Sequence, residues 1–163
     1  MKALDLFIPN AEALLYIKQP VRAIGIDLGT TNSTISEIVY DPAIPARAPE
    51  VRCLAVEQPT DGRGWWNPLV PSIVALNDGR EIIGEGARRL RTQGRRQNLI
   101  NKGNLFAACK NDMGLRQTYH MAPTGYRSAA EISGRILDFL MQSAMKDKPI
   151  APTRTTVTVP ASF

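Results

Sequence analysis

Histidine and cysteine are nearly missing from these 163 residues. The one histidine is His120, and the two cysteines are Cys53 and Cys109. They fall in no CxxC or HxxxH spacing, which argues against a zinc site and leaves no disulfide framework. The expected state is a pair of buried or half-buried thiols in a reducing compartment. No stretch approaches 18 uninterrupted apolar residues, so no membrane span is read. The apolar character of the N-terminus is interrupted by Asp5, Pro9, Asn10 and Glu12. That makes a poor signal peptide, and a cytoplasmic protein is the default expectation. Two phosphate fingerprints are missing as well. There is no GxxxxGK[ST], and Gly84-Glu85-Gly86 lacks the third glycine of GxGxxG. No internal repeat is visible.

What is present is ordinary for a folded domain: 44% hydrophobic and 21% charged residues, in a chain long enough for one compact core. The net charge is +5, a balance that suits an acidic partner such as nucleotide, nucleic acid or an anionic surface. Five arginines crowd between Arg88 and Arg96. Read plainly, they are a solvated helix face followed by a basic loop. Nucleic-acid binding calls for interleaved aromatics or a known module, and Trp65 and Trp66 lie far upstream, which argues against that partner.

Residues 1–21 read as an extension, with a short helix over 11–18 capped by Asn10 and ended by Pro20. Strands follow at 22–27 and 33–40 as a hairpin, then at 51–56 after a proline-rich loop. The span 58–68, with Gly62, Gly64, Trp65 and Trp66 between prolines, reads as a loop with one indole tucked onto the body. A second hairpin, 70–76 with 81–83, turns at Asn77-Asp78-Gly79-Arg80. Helices are expected over 85–93, 105–110 and 128–145. The last of these carries a capping box of Ser128 with Glu131, and Ile132, Ile136, Phe139 and Leu140 on its apolar face. A β-branched strand over 154–159 closes the chain at Pro160. The pattern is that of an α/β fold, a mixed β-sheet with packed helices. Strand 154–159 is expected to run parallel to the first strand, after a crossover through the long helix.

The most informative segment is Gly25-Ile26-Asp27-Leu28-Gly29-Thr30-Thr31-Asn32-Ser33. An apolar strand delivers a carboxylate, Asp27, to its own end. Gly29 permits a backbone path that a side chain forbids. Successive backbone N–H groups in such a turn form a concavity that suits an anion, and Thr30 and Thr31 add hydroxyls. Asp27 stands where it can orient a hydrated magnesium ion. Together these make a phosphate-and-metal site. On the residues alone, the same stretch also reads as an ordinary hairpin turn.

This segment resembles the opening signature of the DnaK-type, seventy-kilodalton heat-shock chaperones. Val70-Pro71-Ser72-Ile73-Val74-Ala75 is similar to their Pro-Ser-x-Val/Ile strand, and Val157-Thr158-Val159-Pro160-Ala161-Ser162-Phe163 to their Val-Thr-Val-Pro-Ala-x-Phe. A weaker likeness joins Asn104 to Gly114, where Lys110 matches a lysine that is catalytic in the family and reaches the γ-phosphate. A lysine there supplies a compact point charge near developing negative charge, although a plain surface lysine reads the same way. The resemblance covers residues 22–163. It departs from the family in the N-terminal extension, in the Trp65–Trp66 loop and in Asn111, where the family has a basic residue. It departs also in the 17 residues between Lys110 and Ser128, a shorter span than the family's.

The resemblance implies the first subdomain of an actin-like (ribonuclease H-like) ATPase domain over 22–163, following an extension over 1–21. The implied ligands are ATP and Mg2+. Gly29, Thr30, Thr31 and Asn32 would hold the phosphates, Asp27 would hold the metal through water, and Lys110 would be catalytic. Pro160 would pass the nucleotide state to other domains. The implied partners are client peptides and co-chaperones in an ATP-dependent stress-response chaperone. The family's nucleotide domain is more than twice this length, so the chain alone is expected to bind ATP weakly, to turn none over and to self-associate through an uncovered apolar face. Two alternatives stand beside this reading. One is a carbohydrate kinase fragment of the same superfamily, which would need a sugar-binding acid-and-base set. The other is a non-catalytic binding module using the basic helix or the tryptophans.

Overall fold

The computed structural model describes residues 18–44, 51–60, 62, 64–92, 103–115, 119–148 and 150–158. The helix expected over 11–18, Arg95 and Arg96, and residues 159–163 with Pro160 all lie outside them, apart from Lys18.

The central sheet begins with β1 (Val21–Asp27) and β2 (Asn32–Tyr40), antiparallel in the register Ile24↔Glu37, Ile26↔Ile35 and Asp27↔Thr34. On its other edge β2 meets β3 (Val51–Cys53). The period of two is clear in β1, where Arg22, Ile24 and Ile26 point inward. The chain then forms β4 (Val56–Gln58) and β5 (Trp65–Asn67), followed by β6 (Val70–Pro71), which pairs with the start of β2. A second sheet holds β7 (Ile73–Asn77), β8 (Arg80–Ile83) and β9 (Leu105–Ala107), with β7 in the middle. Helix α1 (Glu85–Thr92) follows β8. Helix α2 (Ala129–Asp147) precedes β10 (Arg154–Thr158). As the sequence implies, β10 runs parallel to β1, with Asp27 opposite Thr158.

Several local signals act as read. Asp78 and Gly79 both take positive φ, 52° and 75°, as a two-residue hairpin turn requires. Ser128 caps α2 in a reciprocal capping box with Glu131. Ile132, Ile136, Leu140 and Ala144, four residues apart, are buried in one cluster with Ile24, Ile26 and Ile35.

Other expectations are corrected. The stretch 58–68 is not all loop, since its two ends pair as the hairpin β4–β5, with Gln58 opposite Trp65. The Gln58 amide holds this hairpin, donating to the Asn67 and Leu69 carbonyls. Neither Trp65 nor Trp66 is buried. Trp65 carries the Arg89 guanidinium 5.9 Å from its ring. Residues 51–56 form two strands, broken where Leu54 turns inward and its N–H donates to the Ile35 carbonyl. Residues 70–76 likewise split at Ser72, where the chain changes sheet. Residues 105–110 are not a helix. β9 pairs with the open edge of β7, and Ala108 at φ 56° leads into a 3-10 turn, Cys109–Asp112. Non-local pairing overrides helix propensity there. Cys109 is buried as expected, but Cys53 is exposed, and both are free.

One residue breaks the apolar inward row of β1. Arg22 is fully buried. Its guanidinium pairs with Glu37 at 2.7 Å and donates to the carbonyls of Ala144, Lys148 and Ile150 at 2.9, 2.7 and 3.0 Å. It therefore satisfies the Lys148 carbonyl at the helix end and the Ile150 carbonyl beyond it, and adds a second hydrogen bond to the Ala144 carbonyl, which also accepts from the Lys148 N–H. Glu37 also accepts from Arg52 and Lys148. Burial by itself raises the Glu37 carboxyl, but the hydrogen bonds from Lys148, Arg52 and Arg22 more than reverse this and hold it at about 2, against an ordinary 4.5.

Arg22→Met is expected to destabilise the fold by about 3–5 kcal/mol in urea unfolding, because it removes the buried partner of Glu37, leaving the half-exposed Arg52 and Lys148, and takes the guanidinium donors from the carbonyls of Lys148 and Ile150. Wild-type-like stability of that variant would refute the role given to Arg22. The depressed Glu37 value makes its contribution complete above pH 4.5. As the pH falls from 4.5 to 2, about 3 kcal/mol of stability should be lost. Unfolding curves across that window should be steeper in pH for the wild type than for Glu37→Gln.

Candidate functional site

The site lies at one end of the central sheet, where β1 hands over to β2. The alternation that buries Ile24 and Ile26 leaves Asp27 exposed at the strand's C-terminal end. Leu28 returns to the core at 4% exposure and anchors the start of the turn. Gly29 and Thr30 are half-buried, and Thr31 and Asn32 are exposed. The turn is tight. A Cβ on Gly29 would stand 2.0 Å from the Asn32 backbone carbonyl oxygen, so glycine is required there for close approach.

Three segments remote in sequence meet this turn. β10 lies beside it, and the Thr158 hydroxyl donates to Asp27 Oδ1 at 2.6 Å. The 3-10 turn after β9 contributes Lys110, whose Nζ donates to the Leu28 carbonyl. Next to it, Thr30 Oγ1 and Asn111 Oδ1 make only a long 3.4 Å contact. The link between β6 and β7 contributes Ser72, whose N–H donates to the Thr31 carbonyl at 2.8 Å and whose hydroxyl donates to the Gly29 carbonyl at 2.7 Å. Asp27, Gly29, Thr30, Thr31, Asn32 and Lys110 are thus brought to one place, and Asp27 has no arginine partner among the described residues.

The platform under Lys110 is itself fixed. The Tyr119 hydroxyl donates to Asp112 at 2.7 Å, at the end of the 3-10 turn. Burial, together with hydrogen bonds involving Cys109 and Asp112, pushes the Tyr119 phenol well above its usual range, so it stays a donor. Burial likewise raises the Cys109 thiol, which behaves as a core residue rather than a nucleophile.

Sequence reasoning passed over Ser72, Ser33 and Thr158 as contributors to the turn. Ser72 and Thr158 sit inside the two outer motifs quoted for the resemblance, and Ser33 ends the first. For Ser72 and Thr158 the available signal was a small hydroxyl residue between apolar neighbours, while Ser33, between Asn32 and Thr34, carries no such signal. Which carbonyl each would meet depends on strand pairing, and that is not local information.

The turn offers hydroxyls, backbone amides and one exposed carboxylate, with an ammonium group against its carbonyl side. Such a set can hold a phosphate group and a hydrated divalent cation.

No protein-family model matches the chain. Among curated proteins, it is 35% identical over 140 residues to the chaperone protein DnaK of Metamycoplasma hominis, which covers 86% of this chain and 20% of that protein. It is 32% identical over 140 residues to the chaperone protein DnaK of Mesomycoplasma hyopneumoniae strain 232, covering 86% and 19%. With that of Mycoplasma mobile it shares 32% over 142 residues, covering 87% and 20%. The chain therefore spans about a fifth of the length of the curated relatives it matches. The three ordered motifs, the parallel pairing that sets the first beside the third, and these matches make the chain a relative of the DnaK chaperones, corresponding to their N-terminal part.

Proposed function

We propose that residues 22–163 are the first subdomain of an actin-like, ribonuclease H-like ATPase domain, preceded by an extension over 1–21. On this reading the turn at 27–33 is the phosphate-binding face of an ATP site. The observation that carries it is the meeting of Lys110 with the turn, across 82 residues of sequence. A cation from one segment and an amide-rich turn from another are the parts that phosphoryl-transfer sites combine.

The roles follow from position. Backbone N–H groups of Gly29 to Asn32 and the hydroxyls of Thr30 and Thr31 hold the β- and γ-phosphates. Lys110 uses one of its three donors on the Leu28 carbonyl, which leaves two for phosphate oxygens. Asp27 is an exposed single carboxylate. Among the described residues no group of three or more metal-ligating side chains exists. One carboxylate, with water and phosphate oxygens completing the shell, is a common way for magnesium to be held, so the donor set fits that ion. When bound, the ion supplies charge neutralisation on the phosphates. Pro160, by the likeness of its motif, passes the nucleotide state onward.

In the whole protein the proposed activity is ATP hydrolysis that drives cycles of client-peptide binding, with co-chaperones, in a cytoplasmic stress-response chaperone. Among the described residues no helix is long and apolar enough to cross a membrane. In the actin-like fold the nucleotide lies between two lobes. The 163-residue chain is therefore expected to bind MgATP weakly and to release no phosphate.

Calorimetry and a coupled phosphate-release assay test this. Changing Thr30 and Thr31 together to alanine should weaken MgATP binding by about tenfold, the effect of one or two lost hydrogen bonds. Unchanged affinity would sink the phosphate-turn reading. In a chain that carries the rest of the site, Lys110→Ala should lower turnover by about 10²–10³ and change ATP affinity far less. Equal losses in both would assign Lys110 to ground-state binding.

A further inference from the structure

We infer that Ser72 is a positioning residue that sets which way the peptide groups of the phosphate turn face; the inference rests on the reading of that turn as a nucleotide site. Ser72 is buried, at 6% exposure, where β6 gives way to β7. It binds the turn twice, through its N–H to the Thr31 carbonyl and through its hydroxyl to the Gly29 carbonyl. Its hydroxyl also lies 2.8 Å from that of Ser33, itself fully buried. A serine hydroxyl has one proton, and that of Ser72 is directed at Gly29. The Ser33 hydroxyl is therefore the donor between the two, giving an ordered relay from Ser33 to Ser72 to Gly29.

The consequence follows from peptide geometry. The described peptides are trans and planar, so a carbonyl and the next residue's N–H point in opposite directions. Tying the Gly29 carbonyl to Ser72 turns the Thr30 N–H the other way. Tying the Thr31 carbonyl does the same for the Asn32 N–H. The Leu28 carbonyl, held by Lys110, does so for Gly29. Three of the turn's carbonyls, those of Leu28, Gly29 and Thr31, are thus taken up by donors, and the N–H groups paired with them through their peptides face away from those contacts, where an anion can meet them. The Gly29–Thr30 peptide is the vulnerable one, because a glycine on one side lets it rotate with little steric resistance. The Ser72 hydroxyl is the group that holds it.

The test uses amide NMR of the 163-residue chain titrated with inorganic tripolyphosphate, on wild type, Ser72→Ala and Ser33→Ala, with urea unfolding of each. Both variants remove a buried hydroxyl from the same relay, so their stability losses should be similar. Ser72→Ala should displace the Gly29 and Thr30 amide resonances and weaken tripolyphosphate binding by about tenfold. Ser33→Ala should leave both near wild type. Equal weakening in the two variants, or Gly29 and Thr30 amides at wild-type positions in Ser72→Ala, overturns the inference. If tripolyphosphate moves no turn amide even in the wild type, the nucleotide reading fails. The inference is then upheld as turn positioning if Ser72→Ala alone displaces the Thr30 amide, and overturned if it does not.

Discussion

The buried pair of Arg22 and Glu37 is the interaction on which the arrangement of the central sheet and α2 depends. Arg22 lies on β1 and Glu37 on β2, so the pair ties the hairpin across its inner face. The same guanidinium reaches the carbonyls of Ala144, Lys148 and Ile150, and the Arg22 carbonyl accepts from both the N–H and the hydroxyl of Thr153. One residue thereby fixes the end of α2, the link that follows it and the entry to β10. Since β10 brings Thr158 to Asp27, the geometry at the far end of the sheet starts from this charge. A buried guanidinium is tolerated only when its donors are used. The exit path of α2 supplies the carbonyls that use them.

The turn solves a related problem with the opposite outcome. In the interior, polar groups are matched, and among the described residues no buried side-chain nitrogen or oxygen lacks a partner. At the end of the sheet three turn carbonyls are matched by donors from outside the turn. Those of Leu28, Gly29 and Thr31 meet donors from Lys110 and Ser72. The N–H groups that share those three peptides point away from these contacts and carry positive partial charge. Asp27 adds a negative charge beside them, and its hydrogen bond from Thr158 holds it at the edge. An anion and a cation can thus be placed side by side without a metal cage.

Local rules and the hairpins they set were legible in the sequence, and pairings that depend on one side chain or on a free sheet edge were not. The Asp78-Gly79 turn, the Ser128–Glu131 capping box and the period of two in β1 each depend on residues within one turn of chain. All three take the form read from the sequence. The parallel placement of β10 was legible because a strand that follows a long helix returns to the sheet by a crossover. The hairpin β4–β5 was not, because what holds it is the Gln58 side chain on the Asn67 and Leu69 carbonyls. β9 was read as helix because Leu105 to Lys110 has no period long enough to decide, and its strand form comes from the free edge of β7. In the site, the turn residues and Lys110 were legible by type and motif. Arg22 and Ser72 passed as ordinary strand residues, since the meaning of a buried polar side chain lies in the atoms it meets.

The site and its support therefore divide along a line of exposure. Asp27, Thr31 and Asn32 are exposed and Thr30 half-buried. Among the described residues, the side-chain contacts by which they hold the fold are the Thr158 hydroxyl on Asp27 and a long contact from Thr30 to Asn111. Substituting such residues alters the surface offered to a ligand with little effect on stability. Gly29, Ser72 and Arg22 are different. At Gly29 a single methyl group collides with the Asn32 carbonyl, at Ser72 two turn carbonyls converge, and at Arg22 two strands and a helix end converge. Changes there act on the fold first and on binding through it. The distinction matters for any measurement on this chain, because a loss of binding at Thr31 without a loss of stability concerns the ligand. The same loss at Gly29 has to be corrected for the population of folded molecules before it says anything about phosphate.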